Sequence, residues 1–109
     1  PEIKDLILED VVSTGNNASS VVSKAFNQVI ISNVTAMSVK ISSEGIAGGL
    51  VGRISGNGTK YSDQSLQSKI ENSYVLGTVS GLIVGGAVGY VTNVSSSTIA
   101  SVEAIVLFS

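Results

Sequence analysis

Residues 48–54 read Gly-Gly-Leu-Val-Gly-Arg-Ile, and residues 85–91 repeat the pattern as Gly-Gly-Ala-Val-Gly-Tyr-Val. A weaker copy stands at residues 20–25, Ser-Val-Val-Ser-Lys-Ala, in which serine replaces both glycines and Lys24 stands where Arg53 stands later. A segment that recurs so closely in a short chain indicates an internal repeat, which decides the fold of any chain that contains it. The glycine motif is the four-residue centre of each copy, at 20–23, 49–52 and 86–89.

An isoleucine opens each repeat, at Ile3, Ile31, Ile70 and Ile99. These isoleucines are 28, 39 and 29 positions apart, and the first three precede their glycine motif by 17, 18 and 16 positions. One insertion of about ten residues reconciles the spacings with a single unit in the length range of solenoid repeats. We therefore expect one module over residues 1–109. Its units are predicted at 3–30, 31–69 with an insertion at 55–68, 70–98 and, in part, 99–109.

The composition favours strands over helices. Apolar residues make up 43% of the chain and charged residues 13%, and short β-branched runs alternate with Gly, Ser and Asn. The best hairpin signal, Asn57-Gly58, falls inside the insertion, which favours parallel stacking of coils. We expect a right-handed parallel β-helix of about three coils plus part of a fourth. An antiparallel β-sandwich is the alternative, because many short strands at regular spacing also fit it.

Stacked coils place equivalent residues above one another, about 4.8 Å apart. The opening isoleucines are then an inward ladder, and Asp5, Asn33, Asn72 and Ser101 form a polar ladder at a bend two residues later. The glycines are expected where the chain turns sharply or passes close to a neighbouring coil. Polar turns are expected at 13–17 and 42–45. The structural residues predicted in the glycine motif are Gly49, Leu50, Val51, Gly52, Gly86, Ala87, Val88 and Gly89.

The composition also excludes several kinds of site. Without histidine or cysteine the chain cannot build a Ser-His catalytic pair, a thiolate nucleophile or a Cys/His metal site. A net charge of −2 with no basic patch in the sequence argues against nucleic acid as a partner. The most apolar run, 81–91, is about half the length needed to cross a bilayer, so no membrane insertion is expected. We expect no catalytic residue, no metal and no cofactor.

Asp5, Glu9 and Asp10 form the one acidic cluster of the sequence. Adjacent residues on a strand point to opposite faces, so these carboxylates are expected to be solvated surface groups. A structural role for Asp5 at a bend is one alternative, and an acid/base pair or a calcium site is another.

The insertion is the candidate contact surface, because insertions in repeat proteins form loops that often lie on the binding face. The residues expected to contact a partner are Lys60, Tyr61, Asp63 and Gln64. A surface loop without a partner is the alternative. The partial fourth unit, 99–108, is expected to leave an open strand edge and to favour self-association through the ends of the solenoid.

Three segments resemble the repeats known as GLUG motifs, whose signature is Gly-Leu-hydrophobic-Gly: residues 46–55, 70–81 and 84–90. Residues 49–52 match the signature outright, whereas 86–89 depart from it at Ala87. Such repeats occur in streptococcal zinc metalloproteases of the immunoglobulin A1 protease type and in other bacterial surface proteins. Residues 6–11, Leu-Ile-Leu-Glu-Asp-Val, also resemble the segment that leads into those repeats.

The resemblance implies a secreted protein of the bacterial cell wall, in which this stretch is an accessory β-helical region. The catalytic signature of those proteases is His-Glu-x-x-His, and this chain has no histidine, so none of their catalytic residues can be assigned here. The expected function is a non-catalytic structural or substrate-docking module, with a host immunoglobulin or another host glycoprotein as partner. The alternative is a repeat of a surface adhesin without protease activity. An enzyme acting on polysaccharides is disfavoured, because 109 residues provide too few coils for a substrate groove.

Overall fold

The computed structural model describes residues 2–26, 29–55, 68–92 and 98–108. These residues form nine β-strands and no helix, which confirms the expected all-β class. The strands are β1 (Glu2–Glu9), β2 (Val12–Ala18), β3 (Val22–Phe26), β4 (Ile30–Gly48), β5 (Val51–Ser55), β6 (Lys69–Ser80), β7 (Ile83–Gly85), β8 (Val88–Thr92) and β9 (Thr98–Phe108).

Every strand pair in this part of the chain is parallel. One sheet has the order β1-β4-β6-β9, with β2 and β7 also paired to β4, and the other has the order β3-β5-β8. Parallel strands need long connections, so each strand pairs with a strand one repeat away rather than with its neighbour in sequence. The antiparallel β-sandwich is therefore wrong, since no described strand has an antiparallel partner.

The register of the strands brings like residues together. The backbone of Ile3 pairs with that of Ile31, Ile31 with Ile70, and Ile70 with Ile99. Paired residues are 28 or 29 positions apart between the first and second repeats and between the third and fourth, and 37 to 39 positions apart between the second and third. The excess falls between β5 and β6, where residues 56–67 lie outside the described ranges.

The longest strand, β4, shows how the sequence produces bent strands. Alternation of inward and outward side chains fails twice between Ile30 and Ile41. Each failure coincides with a residue in the left-handed region, Asn33 at φ 51° and Ser38 at φ 55°. Because each of these residues turns the chain, the next inward side chain comes three positions later instead of two. The buried apolar side chains of β4 are Ile31, Val34, Ala36, Val39, Ile41 and Ala47.

The prediction of polar turns at 13–17 and 42–45 is wrong. Both stretches lie inside strands, β2 and β4, which pair with each other. The register shifts by one residue between Gly15 and Asn17, so the polar residues mark an irregularity of the bulge type, not the end of a strand. The backbone groups that a turn would have satisfied locally are instead bonded to the neighbouring repeat.

The two sheets share one hydrophobic core. Val51 and Ile54 of β5 belong to the same buried cluster as Ile31 of β4 and Val75 of β6. The first repeat contributes Ala18, Ala25 and Val29 to this cluster, whereas its larger aliphatic residues, such as Ile3, are only partly buried against it. The largest fully buried side chains therefore lie in the second and third repeats, which have a neighbour on either side.

We predict that Ile31→Ala destabilises the fold strongly and that Ile7→Ala does not. Ile31 is 1% exposed between Ile3 and Ile70, whereas Ile7 of β1 is 72% exposed. Loss of a buried isoleucine side chain costs about 2–5 kcal/mol, because it removes apolar contacts and leaves a cavity. The exposed control should change the free energy of unfolding by less than about 1 kcal/mol. Urea unfolding followed by circular dichroism measures the free energy of unfolding of both variants. Equal losses of stability would contradict the inward position of Ile31.

Candidate interaction surface

A left-handed corner lies two residues after each of the first three opening isoleucines. Asp5, Asn33 and Asn72 have φ values of 54°, 51° and 50° and are exposed. The Nδ2 group of Asn33 donates a hydrogen bond of 2.7 Å to Oδ1 of Asp5 in the repeat before it. Short Asx side chains tolerate this conformation better than other non-glycine residues do. The predicted polar ladder thus lies at a bend, and the fourth residue expected there, Ser101, lies on β9.

A buried hydroxyl supports this corner from inside. Ser73 is 5% exposed, and its Oγ donates to the carbonyl of Glu71 at 2.9 Å. The same Oγ accepts a hydrogen bond of 3.3 Å from the backbone N–H of Val34, the residue after the bend. The hydroxyl therefore satisfies backbone groups that the bend removes from the regular ladder.

The acidic cluster of the first repeat is exposed. Asp10 stands at a second left-handed corner, with φ 55°, and its N–H donates to the carbonyl of Met37 at 3.0 Å. Asp5 and Asp10 are both corner residues, and Glu9 is the last residue of β1. No group of three or more metal-binding side chains occurs within the described ranges.

The glycine motifs of neighbouring repeats lie against one another. Leu50 and Val51 are fully buried, and the N–H groups of both donate to the single carbonyl of Ala87 at 2.9 Å. A Cβ on Gly49 would overlap the carbonyl oxygen of Gly86. Glycine is thus required at position 49 because the backbone of the next repeat occupies the space of a side chain.

The remaining motif residues follow the same register. Val88 pairs with Val51, and Gly89 follows it on β8. A Cβ on Gly52 would lie 2.5 Å from the carbonyl oxygen of Ser23, the serine that replaces glycine in the first repeat. The glycine motif of the second repeat is therefore packed backbone against backbone on both of its neighbours.

The insertion leaves the end of β5 at Ser55 and returns at Ser68. The N–H of Val29 donates to Oγ of Ser68 at 3.2 Å, and the N–H of Lys69 donates to the carbonyl of Val29 at 2.9 Å. The returning chain is therefore attached to the repeat before it. The four residues predicted to contact a partner, Lys60, Tyr61, Asp63 and Gln64, lie outside the described residues.

Three outward residues form a row across the second sheet, which consists of β3, β5 and β8. We call this row the basic strip, and its residues are Lys24 on β3, Arg53 on β5 and Tyr90 on β8. The guanidinium carbon of Arg53 lies 5.5 Å from the centroid of the Tyr90 ring, which is cation–π distance. The Nε group of Arg53 donates to Oγ of Ser55 at 3.0 Å. The sequence predicts no such strip, although the equivalence of Lys24 and Arg53 is visible in the repeat alignment.

A polar depression of about 520 Å³ lies where the register of β2 and β4 shifts. Its lining residues are Thr14, Gly15, Asn16, Ser42, Ser43 and Glu44. Oγ of Ser43 donates to the carbonyl of Asn16 and accepts from the N–H of Gly45, each at 3.0 Å. Leu82, which is 85% exposed, donates its N–H to the carbonyl of Gly45 beside this depression. The hydroxyl of Ser43 and the carbonyls of Asn16 and Gly45 are thus engaged within the fold.

The described residues include no helix of the length and apolarity needed to cross a membrane.

We predict that Asn33→Gly destabilises the fold less than Asn33→Ala does. Asn33→Ala should lower the free energy of unfolding by about 1–2 kcal/mol, because alanine is strained at φ 51°. Asn33→Gly should cost less than about 1 kcal/mol, because glycine accepts the left-handed region although it loses the hydrogen bond to Asp5. Urea unfolding of the two variants gives the comparison. A glycine variant that is no more stable than the alanine variant would show that the corner is not held by backbone conformation.

No family model matches this chain, and neither a curated protein nor a solved structure matches it. Two of the segments that resemble GLUG motifs, 46–55 and 84–90, pair with each other through β4–β7 and β5–β8. The third segment, 70–81, contains most of β6 and pairs with β4.

Proposed function

We propose that the chain is a right-handed parallel β-helix that serves as a non-catalytic accessory module of a secreted bacterial surface protein. The observation that carries the proposal is the parallel register in which each repeat lies on the one before it. A stack of this kind is stiff along its axis, because every repeat is bonded to its neighbours. Such a module can hold a docking surface at a set distance from the rest of the parent protein.

The parent that best fits the motif residues is a zinc metalloprotease of the immunoglobulin A1 protease type, attached to a streptococcal cell wall. The support for it is the resemblance of residues 46–55, 70–81 and 84–90 to GLUG repeats. In this proposal the module spaces or docks the substrate, a host immunoglobulin or another host glycoprotein, and the catalytic zinc belongs to another part of the parent. An adhesin repeat without protease activity is the alternative.

The docking role is assigned to the insertion between β5 and β6. Both ends of the insertion are attached to the stack, at Ser55 and at Ser68. Since lengthening a loop costs little free energy, the stack can support an insertion there without loss of the fold. The side chains proposed for contact are Lys60, Tyr61, Asp63 and Gln64.

We predict that the chain binds immunoglobulin A without cleaving it, and that the insertion carries the binding. The test variant replaces Lys60, Tyr61, Asp63 and Gln64 with serine and so keeps the loop length. Surface plasmon resonance on immobilised immunoglobulin A should show binding weakened by about tenfold or more, with a melting temperature within about 4 °C of the parent chain. Electrophoresis of the incubated immunoglobulin should show intact chains.

Absence of binding by the unmodified chain, or equal binding by the serine variant, would contradict the docking role. The sequence of the gene that encodes this module distinguishes the two candidate parent proteins, the protease and the adhesin. A His-Glu-x-x-His motif in the same polypeptide supports the protease, whereas further repeats with a wall anchor and no such motif support the adhesin.

A further inference from the structure

The basic strip presents two cations that form no ion pair with a carboxylate of the described residues. The ion pairs of the described residues are Lys4 with Glu2 and Lys69 with Glu71, and both lie on the first sheet. Neither Lys24 nor Arg53 takes part in one. From this arrangement we propose that the strip is a docking site for an acidic segment of a partner protein.

The strip combines like charges where the fold does not need them. Lys24 and Arg53 are direct partners in the parallel ladder of β3 and β5, and neighbouring strands are about 4.8 Å apart. Like charges on paired residues are destabilising unless an anion lies between or above them. The described strands of this sheet read Val-Ser-Lys-Ala-Phe, Val-Gly-Arg-Ile-Ser and Val-Gly-Tyr-Val-Thr, and none contains an acidic residue.

The acidic residues of the described chain lie on the other sheet or at its corners. They are Glu2, Asp5, Glu9, Asp10, Glu44, Glu71 and Glu103. The chain as a whole has a net charge of −2, so the positive strip is a local feature that the average composition hides. Its charge complements an anion brought by a partner.

Arg53 is held ready to receive a carboxylate. Its Nε is bonded to Ser55, and its guanidinium plane lies by the ring of Tyr90. Among the described residues no other group accepts a hydrogen bond from it, so the two terminal nitrogens can form the bidentate pair that arginine makes with carboxylates. Fixing the side chain before binding lowers the conformational entropy lost when the partner docks.

The composition of the strip favours a protein partner. Arginine and tyrosine are enriched at protein interfaces and supply much of their binding energy. Tyr90 is 40% exposed, which leaves part of the ring available as an apolar contact beside the charges. A strip three strands wide, about 10 Å, can accommodate one extended acidic segment.

We test this with a fluorescein-labelled peptide, Gly-Glu-Gly-Glu-Gly-Glu-Gly, and its glutamine counterpart as the uncharged control. Binding is measured by fluorescence anisotropy with the full chain at low ionic strength, where surface charges are least screened. We expect the glutamate peptide to bind with a Kd below about 1 mM and the glutamine peptide to bind at least about tenfold more weakly.

The variants separate the strip from general charge. R53Q should weaken binding by about tenfold and K24Q by about threefold, whereas R53K, which keeps the charge but not the fork, should fall between R53Q and the parent chain. K40Q is the matched control, because it removes one exposed cation from β4 on the other sheet. It should leave the Kd unchanged. Far-ultraviolet circular dichroism should be the same for all variants.

The proposal is overturned if the glutamine peptide binds equally well, or if K40Q weakens binding as much as K24Q does. It is also overturned if a sulfated polysaccharide binds through Lys24 and Arg53 while the glutamate peptide does not, since that would assign the strip to a glycan. The probe is a peptide, so the result is independent of whether the chain binds immunoglobulin A.

Discussion

The parallel stacking of each repeat on the one before it is the constraint on which the rest of the structure depends. A parallel ladder continues through a bend only if neighbouring repeats bend at the same positions, because otherwise the register is lost. The residues that turn the chain must therefore coincide, as well as those that fill the interior. Asp5, Asn33 and Asn72 do so, with φ values between 50° and 54°, two residues after the paired isoleucines. The left-handed conformation of the corner residues and the burial of the paired isoleucines thus both follow from the parallel register of the repeats.

Each corner also interrupts the backbone ladder, and polar side chains complete the bonding there. Ser73 is buried, yet its hydroxyl bonds to the carbonyl of Glu71 and to the N–H of Val34 in the neighbouring repeat. A buried polar group without partners costs about 1–3 kcal/mol, so the serine is tolerated only because the bend leaves backbone groups free. Ser68 has a similar role where the chain returns from the insertion, because its hydroxyl accepts a hydrogen bond from the N–H of Val29. Ser73 and Ser68 thus complete the backbone bonding at these two places.

The sequence predicts the stacked rows because like residues recur at like spacing, and a spacing of 39 positions shows where the insertion lies. It does not predict the kind of each bend, because Gly, Ser and Asn are equally at home in a turn and in a bulge. Residues 13–17 and 42–45 were for that reason expected to be turns and instead lie in paired strands. Nor does the sequence predict the contact of Arg53 with Tyr90. Which side chains point outward depends on the number of residues in each corner, and this number differs between repeats. The register between β4 and β6 shifts by one residue before Gly77, for example.

The inward positions of this fold are restricted by stacking, whereas the outward positions are free to serve recognition. A β-branched or small polar residue would satisfy an outward position of β3 or β5, so the stack itself gives no reason for Lys24 beside Arg53. The insertion begins after Ser55, two residues beyond Arg53, so the strip and the loop proposed for docking are joined by one short piece of strand. Two weak contacts joined by a stiff connection reinforce each other, because binding of the first raises the effective concentration of the second. The two proposals thus place an electrostatic contact and a contact of the insertion next to each other on one stack of repeats.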